Sequence, residues 1–233
     1  MRLQHLVLCA GAALCPCVSE AQQVIDAGTF IIVRGSAEAG REEFAIRQAA
    51  GRGGQHGERN IVVASTTRLP GREIQVALEV SGDQTPISLE QTESSGGRTA
   101  RHVQARLTGN RFSARITSGD GESAREFPVR PPVALISDEA YASFYFMPRA
   151  DQGAHKPVTI IRSRDVRLVT GSVIHQGADT VMIGTRRVAA NKYLLRLSDG
   201  DERQFWFTSA GDLLQVAVPS AGIVATRAAL NDR

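Results

Sequence analysis

The side chains able to do chemistry are few and far apart. His56, His102, His155 and His175 never form the H-x-H or H-E-x-x-H spacing that sets two imidazoles on one zinc ion. No G-x-S-x-G turn offers a serine nucleophile. The run "GRGGQHGE", residues 51 to 58, has the glycines of a phosphate cradle, but it lacks the Lys-Ser/Thr ending of a P-loop and no helical pattern follows it. It reads as a hairpin tip. Glu42, Glu43, Asp138, Glu139, Asp165 and Asp179 are available for the paired-carboxylate chemistry of glycoside hydrolysis, whose separation is spatial, and nothing in the sequence sets any two apart. The motif content argues against catalysis, and it implies no metal site and no cofactor.

One carboxylate stands in a suggestive context. Asp26 in "VIDAGT" resembles the D-T-G or D-S-G loop of aspartic peptidases. Ala27 replaces the hydroxyl residue, however, and no second copy supplies the other carboxylate that a shared-proton mechanism needs.

The elements that would have to position any site are strands. "RFSARIT" sets Phe112, Ala114 and Ile116 against Arg111, Ser113, Arg115 and Thr117, and "HVQARL" sets Val103, Ala105 and Leu107 against His102, Gln104 and Arg106. "EIQVALEV" repeats the alternation with Ile74, Val76, Leu78 and Val80 on one side. Strict period two means one buried and one wet face, the mark of antiparallel rather than buried parallel sheet. Turn residues at Gly82-Asp83, Ser95-Gly96-Gly97, Gly109-Asn110, Gly119-Asp120-Gly121, Asp199-Gly200-Asp201 and Ala210-Gly211-Asp212 punctuate the runs at hairpin intervals. About a dozen strands follow, mostly in a meander.

One segment breaks the pattern. Residues 128 to 157 hold five of the nine prolines, and between them "SDEAYASFYFM" carries four of the twelve aromatic residues. Ser137 is placed to cap a helix, Asp138 and Glu139 suit its positive end, and Pro148 stops it after about three turns. A linker would be polar, so the segment is expected to be a crossover that plugs or caps a single curved sheet.

The first 21 residues, MRLQHLVLCAGAALCPCVSEA, have the layout of a secretory signal: Arg2, an apolar run from Leu6 to Leu14, and small residues at Ser19 and Ala21. Cleavage near Ala21 would remove Cys9, Cys15 and Cys17, leaving residues 22–233 as one β domain without thiols in an oxidising compartment, the periplasm. Leu8, Leu14 and Pro16 precede the three cysteines where a lipid-anchor signal needs a small residue. No later run is long and apolar enough for a transmembrane helix. The net charge of +3 is carried almost wholly by arginine, interspersed with acids, which gives no basic block and no nucleic-acid partner.

Two stretches resemble a known pattern. "GTRRVAANKYLLRLSDGDERQFWFTSAGDLLQV" is similar to the C-terminal hairpins of exported proteobacterial β-rich proteins of unknown function, V-x-A-x-x-Y followed by W-[FY]-x-x-x-G-x-L. Val188, Ala190 and Tyr193 match the first part, and Trp206, Phe207, Gly211 and Leu213 the second. "VRGSAEAGREEFAI", residues 33 to 46, resembles the family's opening pair of strands. The resemblance implies a β-roll or open barrel and carries no site residue. More distantly the plan is similar to lipoprotein carriers and lipocalin-like barrels, by fold alone.

The reading is therefore all-β: a strongly curved antiparallel meander with one short central helix. Such a sheet can hold an apolar ligand between itself and the helix, and Tyr141, Phe144, Tyr145, Phe205 and Phe207 would line that pocket. Alternation puts Trp206 on the other face, either packed under a loop or exposed for a partner. The leading function is non-catalytic binding of a lipid-like cell-envelope ligand. The alternatives are a structural or protein-interaction module of the envelope, and then an envelope hydrolase.

Overall fold

The computed structural model describes residues 23–50 and 59–230; the segment read as a secretory signal, its cysteines and the run at 51 to 58 read as a hairpin tip lie outside the described residues. The first meander comprises β1 (Gln23–Arg34), β2 (Ala37–Ala50), β3 (Arg59–Leu69), β4 (Arg72–Val80), β5 (Pro86–Ser95), β6 (Arg98–Thr108), β7 (Arg111–Ser118) and β8 (Gly121–Pro128). The second comprises β9 (Val133–Ile136), β10 (His155–Arg162), β11 (Arg167–Ile183), β12 (Arg186–Leu197), β13 (Glu202–Phe207), β14 (Leu213–Val218) and β15 (Ile223–Arg227).

All fifteen strands form one sheet, running from β8 back to β1, across to β15, and back again to β9. Neighbouring strands of the sheet pair antiparallel except β9 and β10, which are parallel, and the two meanders are sewn together by the antiparallel β1–β15 pair. Chain length dictates the curvature. Laid flat, fourteen strand spacings would separate the two edges by roughly 67 Å. Yet Pro128, ending one edge strand, and Val133, starting the other, are joined by five Cα steps that reach at most about 18 Å. The sheet has to curl until its edges approach.

The inner face of the curl is the core. Ile74, Val76, Leu78, Val80, Val103, Ala105, Phe112 and Ala114 are buried there, as alternation requires. A second, smaller cluster forms on the opposite face, where Val181, Ile183 and Ala190 of the β11–β12 hairpin pack with Trp206, Leu214 and Ala217. The pairing of β11 with β12 slips between His175 and Gly177, and Gly177 takes a φ of 102° that side chains rarely adopt. Pro157 sits in β10 outside the register shared with β9, which begins at Thr159, so its missing N–H leaves no gap in that ladder.

The expected three-turn helix is not formed. Residues Tyr141–Phe146 make a six-residue 3₁₀ helix, and Ser137 does not cap it: its backbone bridges to Ala140, which occupies the N-cap position without a side-chain bond. Two tertiary demands override the local propensity. The chain from 133 to 136 is held as a parallel strand on β10, and the side chains of Asp138 and Glu139 are taken by arginines of the sheet rather than by a helix end.

Candidate functional site

Residues 137 to 150, between β9 and β10, run along the interior of the curl as a strap that is itself largely buried. Its ties are polar and come from both meanders. Glu42, on β2, is completely buried; one of its oxygens accepts the N–H of Tyr141 at 2.6 Å and that of Ala142 at 3.2 Å. These are the orphan donors of the 3₁₀ helix, and they find a carboxylate instead of a local cap. Asp138 pairs with Arg203 of β13 at 2.5 Å, and Glu139 pairs with Arg72 at the start of β4. Arg203 also holds Asp201 at 3.0 Å, and Asp201 in turn accepts from Arg162 at 2.8 Å. Burial pushes the Glu42 carboxyl up to about 7, against the pull of the Ala142 and Tyr141 N–H groups. The Tyr141 phenol is raised too, first by burial and then by the charges of Glu42 and Glu139.

Beneath the strap lies a row of rings. His175, Tyr193 and Phe205 are register partners on β11, β12 and β13, and their rings stack at 4.9 and 5.4 Å between centroids. From the strap Phe144 meets Phe205 at 6.0 Å and Tyr145 meets Phe207 edge-on at 6.5 Å, while Phe205 and Phe207 lie 5.9 Å apart. The Arg149 guanidinium caps this end 4.7 Å above the Phe207 ring. Four of the five residues expected to line a pocket are thus brought together: Phe144, Tyr145, Phe205 and Phe207. Tyr141 lies apart from those rings, at the Glu42 end of the strap. In this arrangement they are core: Tyr141, Phe144, Phe205 and Phe207 are at most 2 % exposed, and only Tyr145 is half-buried. None of residues 138 to 147 lines the grooves found on this protein's surface.

Trp206 faces the opposite way and is 5 % exposed, in the second cluster. Its Nε1–H donates to Asp179 Oδ2 at 2.8 Å, and Lys192 lies 5.1 Å over the ring. Of the two fates open to it in the sequence, the one observed is burial under the β11–β12 hairpin. Asp26 is likewise committed. It accepts two bonds from Arg227, at 2.8 and 3.2 Å, with both side chains buried, and Arg227 also donates to the Ala27 carbonyl while lying 5.1 Å over Phe44. The pair clamps β1 to β15, and Gly28 makes room for it, since a Cβ there would come 2.9 Å from Arg227 Nη2. The described histidines stay apart: His102 bonds Thr92 on the β5–β6 pair, His155 is exposed at the start of β10, and His175 belongs to the ring row. Among the described residues no three His, Cys, Asp or Glu side chains are grouped to hold a metal ion, and no helix is long and apolar enough to cross a membrane.

The face turned away from the core carries two adjoining grooves, of about 670 Å³ across β3 to β8 and about 530 Å³ across β2 to β5. Sequence reasoning did not find them, because a groove across strands depends on register. Four alanines on four strands, Ala27, Ala45, Ala64 and Ala77, fall into one cross-strand row. In the sequence Glu42 stands only as one of six available carboxylates and Tyr193 only as part of a hairpin pattern, and Arg203 is not singled out. Glu42 could have been flagged by its place in "EEFAI", where it shares the face of Phe44 and Ile46.

Fold and site together define a protein built on one open, strongly curved antiparallel sheet with a strapped aromatic interior. Among solved structures it is similar to a β-barrel-like protein of a domain of unknown function, DUF1849, from Brucella abortus, with a TM-score of 0.51 over 86 % of this chain and 93 % of that one. Identity is 10 %, so the likeness is one of fold. No protein-family model and no curated protein matches the chain.

Proposed function

We propose that the chain is an exported, non-catalytic binding protein that takes an apolar or amphipathic ligand, a lipid of the cell envelope, between the ring row of β11 to β13 and the strap. One observation carries this reading: the strap that covers the rings is fastened by polar ties, namely Glu42 to two backbone N–H groups, Asp138 to Arg203 and Glu139 to Arg72. Buried ion pairs give little net stability beside apolar packing of the same volume, because desolvation offsets their attraction. A cover tied in this way can exchange its contacts for a ligand's, and lifting it would expose Phe205, Phe207 and Tyr193 as the floor of a cleft.

The test is native mass spectrometry of the gently purified protein, together with thermal shifts against a panel of phospholipids and fatty acids. A co-purified lipid, and a shift that is lost in Phe205→Ala, are expected. A clean apo mass with no shift across the panel would refute the reading.

A further inference from the structure

We propose that the free edge strand β8 is the docking site for an extended segment of a partner protein, which adds to the sheet as a further strand and brings a carboxylate to Arg125. Among the described residues β8 pairs with β7 alone, and every residue from Gly121 to Glu126 is exposed. The other edge, β9, is buried along its whole length and offers no such place. The β7–β8 hairpin closes at Ser118 and Gly121 around a two-residue turn. The alternation of an antiparallel ladder then turns the N–H and C=O groups of Glu122, Ala124 and Glu126 away from β7. Pro128, which has no N–H, ends the row. Unpaired groups of this kind are a template for strand addition.

Charge selects the occupant. The edge borders the groove of about 670 Å³, whose lining includes Glu79, Glu90, Arg106, Arg115, Arg125 and Glu126. Glu79 accepts from Asn60 at 2.7 Å and from Ser88 at 3.1 Å; Glu126 is paired with Arg111, and Arg115 with Glu122 at 3.0 Å. Glu90 faces His102 at 3.7 Å. Among the described residues Arg106 and Arg125 have no carboxylate partner; Arg106, opposite Ser113, lies on the groove face, and Arg125, opposite Ala114, lies on the other face of β8. A strand beside β8 would therefore gain most from an acidic side chain on the face of Arg125 and uncharged ones opposite Glu122 and Glu126.

A second copy of this chain fits badly. Antiparallel pairing of β8 with itself about a two-fold axis at residue 122, 124 or 126 sets Glu122 on Glu122, Glu122 on Glu126, or Glu126 on Glu126. An axis at 125 sets Arg125 on Arg125, and one at 123 sets Asp120 on Glu126. Each of these registers opposes like charges, which disfavours pairing and is how natural edges avoid their own kind.

The probe is a fluorescein-labelled octapeptide of alternating threonine and glutamate, with an alternating threonine–lysine peptide as its counterpart, read by anisotropy against the full-length exported protein. The acidic peptide should bind and the basic one should not. Arg125→Glu should weaken binding at least tenfold. Ala124→Pro, which removes one outward N–H at an edge where proline is tolerated, should do the same without lowering the melting temperature. Arg186→Glu, on β12, should leave binding unchanged. Absence of acidic-peptide binding, equal binding of both peptides, or full binding by Arg125→Glu would overturn the proposal. Binding to phosphatidylglycerol vesicles in place of the peptide would reassign the surface to lipid, and a dimer abolished by Ala124→Pro would reassign it to a second copy.

Discussion

Glu42 should make the stability of this protein fall between pH 4.5 and 7. Its carboxyl titrates near the ordinary value of 4.5 in the unfolded chain and at about 7 when folded. In that window the native state holds a proton that the unfolded state has released, so raising the pH favours unfolding. The slope for one such group is about 1.4 kcal/mol per pH unit, and over 2.5 units the loss is about 3 kcal/mol, complete above pH 7. Glu42→Gln imitates the protonated side chain: its carbonyl can accept the Tyr141 and Ala142 N–H groups, and Thr67, the register partner of Glu42, has a buried hydroxyl with no partner of its own. The Tyr141 phenol, and the charges of Glu139, Arg203 and Arg34 that act on it, are common to both proteins and cancel in the difference. Urea unfolding followed by the fluorescence of Trp206, the sole tryptophan, at pH 5, 6, 7 and 8 gives that difference directly. The glutamine variant should gain about 2.5 kcal/mol on the parent between pH 5 and 8. Parallel stability curves would show that the carboxylate is ionised at no cost and that the strap is tied by charge after all.

Trp206→Ala should lose about 3 to 5 kcal/mol in urea unfolding read by circular dichroism, as a large ring leaving a filled cluster does. A near-neutral change would return Trp206 to the role of a surface anchor. Asp26→Asn leaves the buried Arg227 charge without its counter-ion and should cost about 3 to 5 kcal/mol by the same measurement. Gly171→Ala would place a Cβ 2.5 Å from the Arg196 carbonyl oxygen; a loss of about 1 to 3 kcal/mol, seen as a lower urea midpoint, is expected from the forced shift between β11 and β12.

What could be read from the sequence followed the period of the strands. Period two assigned Ile74 to Val80, Val103, Ala105, Phe112 and Ala114 to the buried face, and it separated Trp206 from Phe205 and Phe207, because each inference needs only neighbours in the chain. The opening pair of strands, joined at Gly35 and Ser36, was expected from the resemblance of residues 33 to 46 and not from the period. The β1–β15 seam was not legible. It pairs strands at opposite ends of the chain, and nothing local marks Asp26 as the partner of a residue 201 positions away. The helix was overestimated where local and distant demands conflict. "SDEA" is a good helix start in isolation, but Asp138 and Glu139 pair with Arg203 and Arg72 of the sheet instead.

The same period of two explains how one sheet can carry two unrelated surfaces. On β13, Phe205 and Phe207 serve the strapped interior while Trp206, between them, serves the opposite cluster. On β8, Phe127 stacks inward on Phe112 while Ala124 and Glu126 line the outer groove. An interior ligand has to lift the strap, whose ties reach β2, β4 and β13; a strand added at β8 disturbs none of these. The two proposed activities should therefore separate by mutation. Phe205→Ala should abolish lipid-induced thermal shifts and leave acidic-peptide binding intact, and Ala124→Pro should do the reverse. Loss of both functions in either variant would mean that the curl of the sheet couples the strap to its free edge.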